Sequence, residues 1–171
     1  MHIDDCTHSF SDLTTAVLPT YLERLHDTRQ CPWPASVFSQ PGYGVASIAK
    51  ELGLPGDFSG CYVLQDGRTP IYVGISRGVL NRLRQHMLGK DHFSASLAYA
   101  MAKKDHQPTE KTRKLVMGAT NFDLAFQKSQ TYLRSLSIGA VEINNPLELY
   151  VFEAYAAMAL GTAEWNTFRT H

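Results

Sequence analysis

Gly60-Cys61-Tyr62-Val63-Leu64-Gln65-Asp66-Gly67-Arg68-Thr69-Pro70-Ile71-Tyr72-Val73-Gly74 is the stretch on which the fold turns. Residues 60–64 and 71–74 are rich in aromatic and β-branched side chains, which favour extended chain. Asp66-Gly67 between them is a tight-turn signal. The reading is an antiparallel hairpin. Side chains alternate along a strand, so Cys61 and Val73 turn away from the side that carries the tyrosines. A hairpin of this kind brings Tyr62 and Tyr72 onto one face.

Downstream, Ser76 is a suitable helix cap and Gly89 a suitable stop. Leu80, Leu83 and Met87 form the apolar stripe that should anchor the helix between them. Helical patterns follow at 93–104, 109–116 and 121–130, and a β-like segment with an interruption at Gly139 covers 132–143. The last helix is bounded most sharply. Asn145 is a natural N-cap, Pro146 fits the first helical position and Glu148 the capping-box partner, and Gly161 ends the run after Leu160. Upstream, Leu13, Val17, Leu18, Tyr21, Leu22 and Leu25 recur at helical spacing over 11–27, with a kink or a new start at Pro19. Residues 31–43 are irregular and proline-rich, and 47–52 make a short helix stopped by Gly53 and Pro55. The expected architecture is α/β of the α+β kind, a small three-stranded antiparallel sheet flanked by helices. Residues 1–58 form a helical N-terminal extension, and 59–171 the main domain with an insertion around 92–121.

Composition limits the function classes. Apolar residues make up 44% of 171, enough for a core. No basic, apolar leader begins the chain and no run is long enough to span a bilayer, so no membrane partner is expected. Three cysteines do not build a disulfide framework, and a reducing, cytoplasmic setting is the default expectation. Net charge is zero, but it is unevenly spread. Residues 1–59 carry three Lys/Arg against seven Asp/Glu, 60–115 ten against four, and 116–171 three against five. A polyanion responds to a local field, so the basic middle is what matters to it. The same segment is equally what an ordinary solvated basic face looks like.

A few polar residues stand out against this frame. Arg82 and His86 are four apart and share a helix face. A guanidinium offers a planar fork to phosphate oxygens. His86 reads as a proton relay, a phosphate contact or a plain surface histidine. Glu153 lies beside the stripe Leu149, Ala156, Ala157 and Leu160, where a carboxylate is costly unless paired or metal-bound. Its hard oxygen suits Mg²⁺ or Mn²⁺. Glu148, by contrast, reads as a cap partner and not a ligand. Cys6 and His8 do not make a zinc site, since no second pair follows at a usable spacing. A phenol, with a pKa near about 10, is a poor base unless cations stabilise its anion.

Gly60-Cys61-Tyr62, Tyr72-Val73-Gly74, Arg82 with His86, Glu153 and Asn166, in this order, resemble the GIY-YIG nucleases over roughly 60–166. Cys61 and Val73 depart from the residues that name the family. Both fall on the face away from the tyrosines, where a small apolar residue suffices. The resemblance implies a divalent-metal-dependent endonuclease that hydrolyses nucleic-acid phosphodiesters, most readily double-stranded DNA. It implies Tyr62 as general base, Tyr72 as an orienting group, Arg82 and His86 at the phosphate, Glu153 as the Mg²⁺ or Mn²⁺ ligand, and Asn166 lining the site. Arg77, Arg84, Lys90, Lys103, Lys104, Lys111, Arg113 and Lys114 would hold the backbone beyond the scissile bond. A chain this short would need a homodimer or a partner protein to cut both strands. The competing reading is a non-catalytic nucleic-acid-binding or scaffold domain. Arg169 and His171 are further candidate phosphate contacts.

Overall fold

The computed structural model describes residues 3–168; Arg169 and His171 lie outside them. In chain order the elements are α1 (Phe10–Asp12), α2 (Leu18–Gln30), β1 (Trp33–Pro34), α3 (Val45–Glu51), β2 (Gly60–Asp66), β3 (Thr69–Ser76), α4 (Val79–Leu88), α5 (Ser96–His106), α6 (Arg113–Met117), α7 (Phe122–Ser135), β4 (Ser137–Glu142) and α8 (Pro146–Leu160). The π-helical turn Leu13–Val17 joins α1 to α2, just ahead of Pro19, whose missing N–H is harmless at a helix start. The chain divides into two compact units. One comprises residues 1–33, 57–79 and 137–171, the other 34–56 and 80–136.

The first unit contains β2–β4. Strand order is β1-β4-β2-β3, a mixed α/β arrangement with a four-stranded antiparallel sheet flanked by helices. The three-stranded sheet expected from sequence is therefore corrected to four. The extra strand is only two residues long, and it falls in a segment read as irregular because of Pro32, Pro34 and Pro41. Proline lacks the ladder donor but is tolerated at a sheet edge, which is where β1 lies. β4 is also shorter than the β-like run 132–143, because residues up to Ser135 belong to α7.

The hairpin forms as its alternation dictates. Tyr62 faces Gly74 across the ladder and Val63 faces Val73. Cys61, Val63, Val73 and Val141 join Leu18 and Leu25 of α2 and Leu149, Phe152 and Ala156 of α8 in one core. Cys61 and Val73 thus point to the helices, away from Tyr62. Gly139 and Gly74 are among the glycines that admit close approaches. A methyl group at Gly139 would lie 2.6 Å from Cγ of Arg29 on α2, so glycine is what lets that helix lie against β4. One at Gly74 would lie 2.5 Å from Cζ and the hydroxyl of Tyr62 and 2.9 Å from Cε1 of Tyr72. Arg29 fastens the end of α2 to the hairpin, with Nε donating to Gln65 Oε1 at 2.8 Å and Nη2 to the Arg68 carbonyl at 3.0 Å.

The second unit is helical. α5 and α7 pack through Leu97, Tyr99, Met101, Phe122, Phe126 and Leu133, all buried. Arg134 of α7 donates to the Met87 carbonyl from Nε (3.0 Å) and Nη2 (2.7 Å), and Gln130 donates to the Gly89 carbonyl at 2.7 Å. These bonds satisfy carbonyls that the end of α4 leaves without intrahelical donors.

Replacing Gly74 with alanine should lower stability by about 1–3 kcal/mol, because the rigid rings above it cannot withdraw cheaply. Urea denaturation measures this. A loss under about 0.5 kcal/mol, the level of an ordinary surface change, would contradict the packing described.

Candidate functional site

Tyr62 and Tyr72 come together as the hairpin requires, their ring centroids 6.3 Å apart and the planes inclined by 51°. Tyr62 is 1% exposed, while Tyr72 is partly open. Asn166 reaches the same strand from the far end of the chain. The turn after Gly161, with Asn166 N–H donating to the Thr162 carbonyl at 3.0 Å, swings it back to the sheet. There its Oδ1 accepts from Val73 N–H at 2.9 Å and its Nδ2 donates to the Val73 carbonyl at 2.7 Å. The amide thereby completes the free edge of β3 at the residue between Tyr72 and Gly74.

Glu153 sits on α8, half buried. Its carboxyl is raised above the usual range by loss of solvent. Among the described residues it has no hydrogen bond and no ion pair. Its charge also helps to raise the thiol of Cys61, after burial itself, which is the larger cause. Glu153 is therefore near the helix-facing side of β2, whereas Tyr62 occupies the other side. An uncompensated carboxylate in such a place is costly, and a divalent cation relieves that cost. The oxygen donor and its desolvation fit a hard cation such as Mg²⁺ or Mn²⁺.

Arg82 and His86 belong to the second unit. The Arg82 guanidinium is engaged within it: Nη1 donates to Gln85 Oε1 (3.1 Å) and the Ser94 carbonyl (3.0 Å), and Nη2 to Ser96 Oγ (2.8 Å). Arg82 thus pins the chain that leads into α5. His86 is 0% exposed, which rules out the surface histidine. Burial first, and then the charge of Arg82, push its pKa down to about 3, so its imidazole is neutral at physiological pH. Arg84 is similarly occupied, with Nε donating to the Tyr43 carbonyl at 3.1 Å. Lys90, Lys103, Lys104, Lys111, Arg113 and Lys114 are exposed, and Arg113 lies 5.8 Å from the Tyr99 ring centroid. Arg77, in the first unit, is exposed beside a cavity of about 580 Å³ that Asp4, Ser76 and Asn144 also line.

A second group differs from the sequence reading, in which Cys6 and His8 make no zinc site and Glu148 is no ligand. Cys6, His8 and Glu148 place one ligand atom each within 4.8 Å of one another, a candidate metal-binding cluster. Asn145 caps α8 as expected, its Oδ1 accepting from Glu148 N–H at 3.0 Å. The Glu148 side chain, however, does not act as the cap partner. Buried at 6% exposure, it accepts from the Tyr21 hydroxyl at Oε2 (2.7 Å), and it meets His8 Nδ1 (2.8 Å) and Cys6 Sγ (3.7 Å) at Oε1. Burial, then Glu148, push the Tyr21 phenol up to about 12, so it remains a proton donor. Sulfur, nitrogen and oxygen donors together do not single out Mg²⁺ or Mn²⁺. The one signal in the sequence was Cys6-Thr7-His8 itself; the third member lies 140 residues further on.

No helix of the described residues is long and apolar enough to cross a membrane. Comparison of the chain with protein-family models, with curated proteins and with solved structures returned no match.

The raised carboxyl of Glu153 has a consequence for stability. A folded pKa above the unfolded value of 4.5 means that the folded state binds more protons between the two values, so stability falls as pH rises through that window. With divalent ions chelated, Glu153→Gln should melt at a higher temperature than the natural protein at neutral pH. The gap should close as pH falls toward 4.5. Thermal melts across this range test it, and a gap independent of pH would contradict it.

Proposed function

We propose that this protein is a divalent-metal-dependent nuclease, related in chemistry to the GIY-YIG enzymes that its motif order resembles. The observation that carries the reading is Glu153: a desolvated carboxylate on α8 with neither a hydrogen bond nor an ion pair among the described residues. It stands in the motif position whose role is to hold the ion. The bonds from Asn166 to Val73 add support, because they join the last motif residue to the Tyr72-Val73-Gly74 triplet.

In the proposed reaction a water oxygen bonds to phosphorus as the bond to the leaving oxygen breaks. The water loses a proton and the leaving oxygen takes one up, giving a 5′-phosphate and a 3′-hydroxyl. Glu153 would hold the ion through carboxylate oxygen. The ion, when bound, would supply positive charge against the negative charge that develops on the phosphate. Tyr62 and Tyr72 share the face of the hairpin opposite the one that Glu153 approaches, and Tyr62 is buried, so neither phenol is assigned the proton transfer that the resemblance implies for Tyr62, since a base must reach its proton. Asn166 would hold the β3 edge in place. In the second unit, the Arg82 guanidinium is spent on Gln85, Ser94 and Ser96 and His86 is buried, so neither is assigned to the phosphate. The exposed lysines there would supply sequence-independent attraction to the backbone.

The test is cleavage of supercoiled plasmid and of RNA with magnesium, with manganese and with chelator. The natural protein should nick DNA only with the ion present, and Glu153→Gln should lose at least about 100-fold in rate while staying folded, beyond what outer-shell changes cost. Equal cleavage by both would refute the role of Glu153. Equal binding without products from either would favour the non-catalytic binding domain. Changing Lys103, Lys104, Lys111 and Lys114 together to glutamine should flatten the salt dependence of DNA binding by about 0.9 in logarithmic slope for each phosphate no longer neutralised. An unchanged slope would remove those lysines from the interface.

A further inference from the structure

We infer that Cys6, His8 and Glu148 form a second ion site, distinct in residues from Glu153, that takes a zinc-class divalent ion through sulfur, nitrogen and oxygen. The inference does not depend on the nuclease reading.

Spacing is the first argument. With zinc bonds of about 2.3 Å to sulfur and about 2.0 Å to nitrogen or oxygen, tetrahedral angles put S···O and S···N near about 3.5 Å and N···O near about 3.3 Å. The structure has Cys6 Sγ to Glu148 Oε1 at 3.7 Å, His8 Nδ1 to the same oxygen at 2.8 Å, and all three ligand atoms within 4.8 Å. Sulfur and oxygen already stand at nearly the distance that an ion requires. The N···O pair must open by about 0.5 Å and the S···N pair, which lies within 4.8 Å, must come to about 3.5 Å on that tetrahedral geometry; both adjustments fall on the exposed His8, which is able to shift.

The direction of the groups is the second argument. His8 Nδ1 meets Oε1 and Cys6 Sγ lies 3.7 Å from the same oxygen and 3.8 Å from the His8 carbonyl, while Oε2 is held separately by the Tyr21 hydroxyl. One carboxylate oxygen is thereby reserved and the other steadied, the pattern in which an outer hydrogen bond orients a metal ligand. A hydrogen-bond network alone has little use for the thiol, since S–H is a weak donor. Cys6 is nevertheless buried against this oxygen. His8 is exposed, so solvent would supply the fourth ligand as water. On binding, Cys6 gives up its thiol proton to solvent, and His8 coordinates through Nδ1 with its remaining proton on Nε2. The donor set selects zinc over magnesium, because thiolate and imidazole are poor partners for hard cations. Its place defines its work: the ion would fasten the first residues of the chain to the first turn of α8.

The experiment uses the full chain carrying Cys31→Ser, which removes the exposed thiol as a competing ligand. Zinc titration by calorimetry should give one site per chain, and the thermal midpoint should rise with zinc concentration. Cobalt(II) should produce a thiolate-to-metal charge-transfer band with the strong visible bands of a tetrahedral site. Adding Cys6→Ser should abolish the band. His8→Ala, at an exposed position and therefore expected to fold, should lower zinc affinity at least about 100-fold, and Tyr21→Phe about 10–100-fold, the range for an outer partner. No charge-transfer band in the parent, or a band and affinity unchanged in a folded His8→Ala, would overturn the site. Neither readout involves cleavage, so failure here and failure of the nuclease reading remain distinguishable.

Discussion

Strand β2 is hydrogen-bonded along both edges, to β3 and to β4, and that constraint governs the rest of the first unit. A strand held on both sides cannot slip by one residue without exchanging its two faces. Its register therefore fixes Cys61 and Val63 under α2 and α8 and leaves Tyr62 on the opposite side above Gly74. The helices have no freedom to choose a different partner, since their own apolar stripes, Leu18 and Leu25 on α2 and Leu149, Phe152 and Ala156 on α8, meet only this face. Gly60, Gly74 and Gly139 are places where the constraint reaches the sequence directly. The first admits the neighbouring strand's Val141 carbonyl, the second an aromatic ring and the third the Arg29 stem of α2.

Two carboxylates on α8 show how the same helix supports opposite chemistry. Glu148 and Glu153 are five residues apart, about 140° around the helix axis. Glu148 falls at the start, where its backbone N–H is taken by Asn145 and its oxygens meet donors from α2 and from the first residues of the chain. Glu153 lies mid-helix, where backbone N–H groups are already spent on the ladder and the neighbours are apolar. One acid is buried and satisfied, the other half buried and unsatisfied. An unsatisfied carboxylate suits an ion that brings its own waters. A satisfied one beside a thiol and an imidazole suits an ion that displaces protons.

What could be read from the chain follows the same division. The hairpin, the Leu80/Leu83/Met87 stripe and the limits of α8 were legible because alternation, helical spacing and capping are local signals, written within a few residues of one another. The fourth strand was not, because two residues flanked by prolines carry no period to detect. Nor was the start of β4, where Tyr132 and Leu133 satisfy a helix and a strand equally well and α7 wins by packing on α5. At the candidate site, the pairing of the tyrosines was legible from the hairpin, but their unequal burial was not. The burial of His86 was hidden too. It lies next to Met87 on a helix whose buried sector proves wider than its three apolar residues indicate. Glu148 was misread for a different reason: Asn145 and Glu148 have the spacing of a capping box, and only partners 140 residues away show that the side chain is engaged elsewhere.

Among the polar groups singled out by sequence, internal satisfaction separates builders from candidates for a ligand. Arg82 spends its guanidinium on Gln85, Ser94 and Ser96, Arg84 donates to the Tyr43 carbonyl, and Asn166 uses both ends of its amide on Val73. For a phosphate to recruit Arg82 it would have to replace bonds to a charged donor that are each worth about 1.5–3 kcal/mol. Arg82 and Asn166 are better understood as positioning residues, the one for the chain entering α5, the other for the strand that carries Tyr72. Glu153 is the exception, since no hydrogen bond or ion pair among the described residues offsets its desolvation. A protein that carries such a group at a net cost to its own folding keeps it for what it binds, and that asymmetry is why the functional reading rests on Glu153 more than on the arginine or the asparagine.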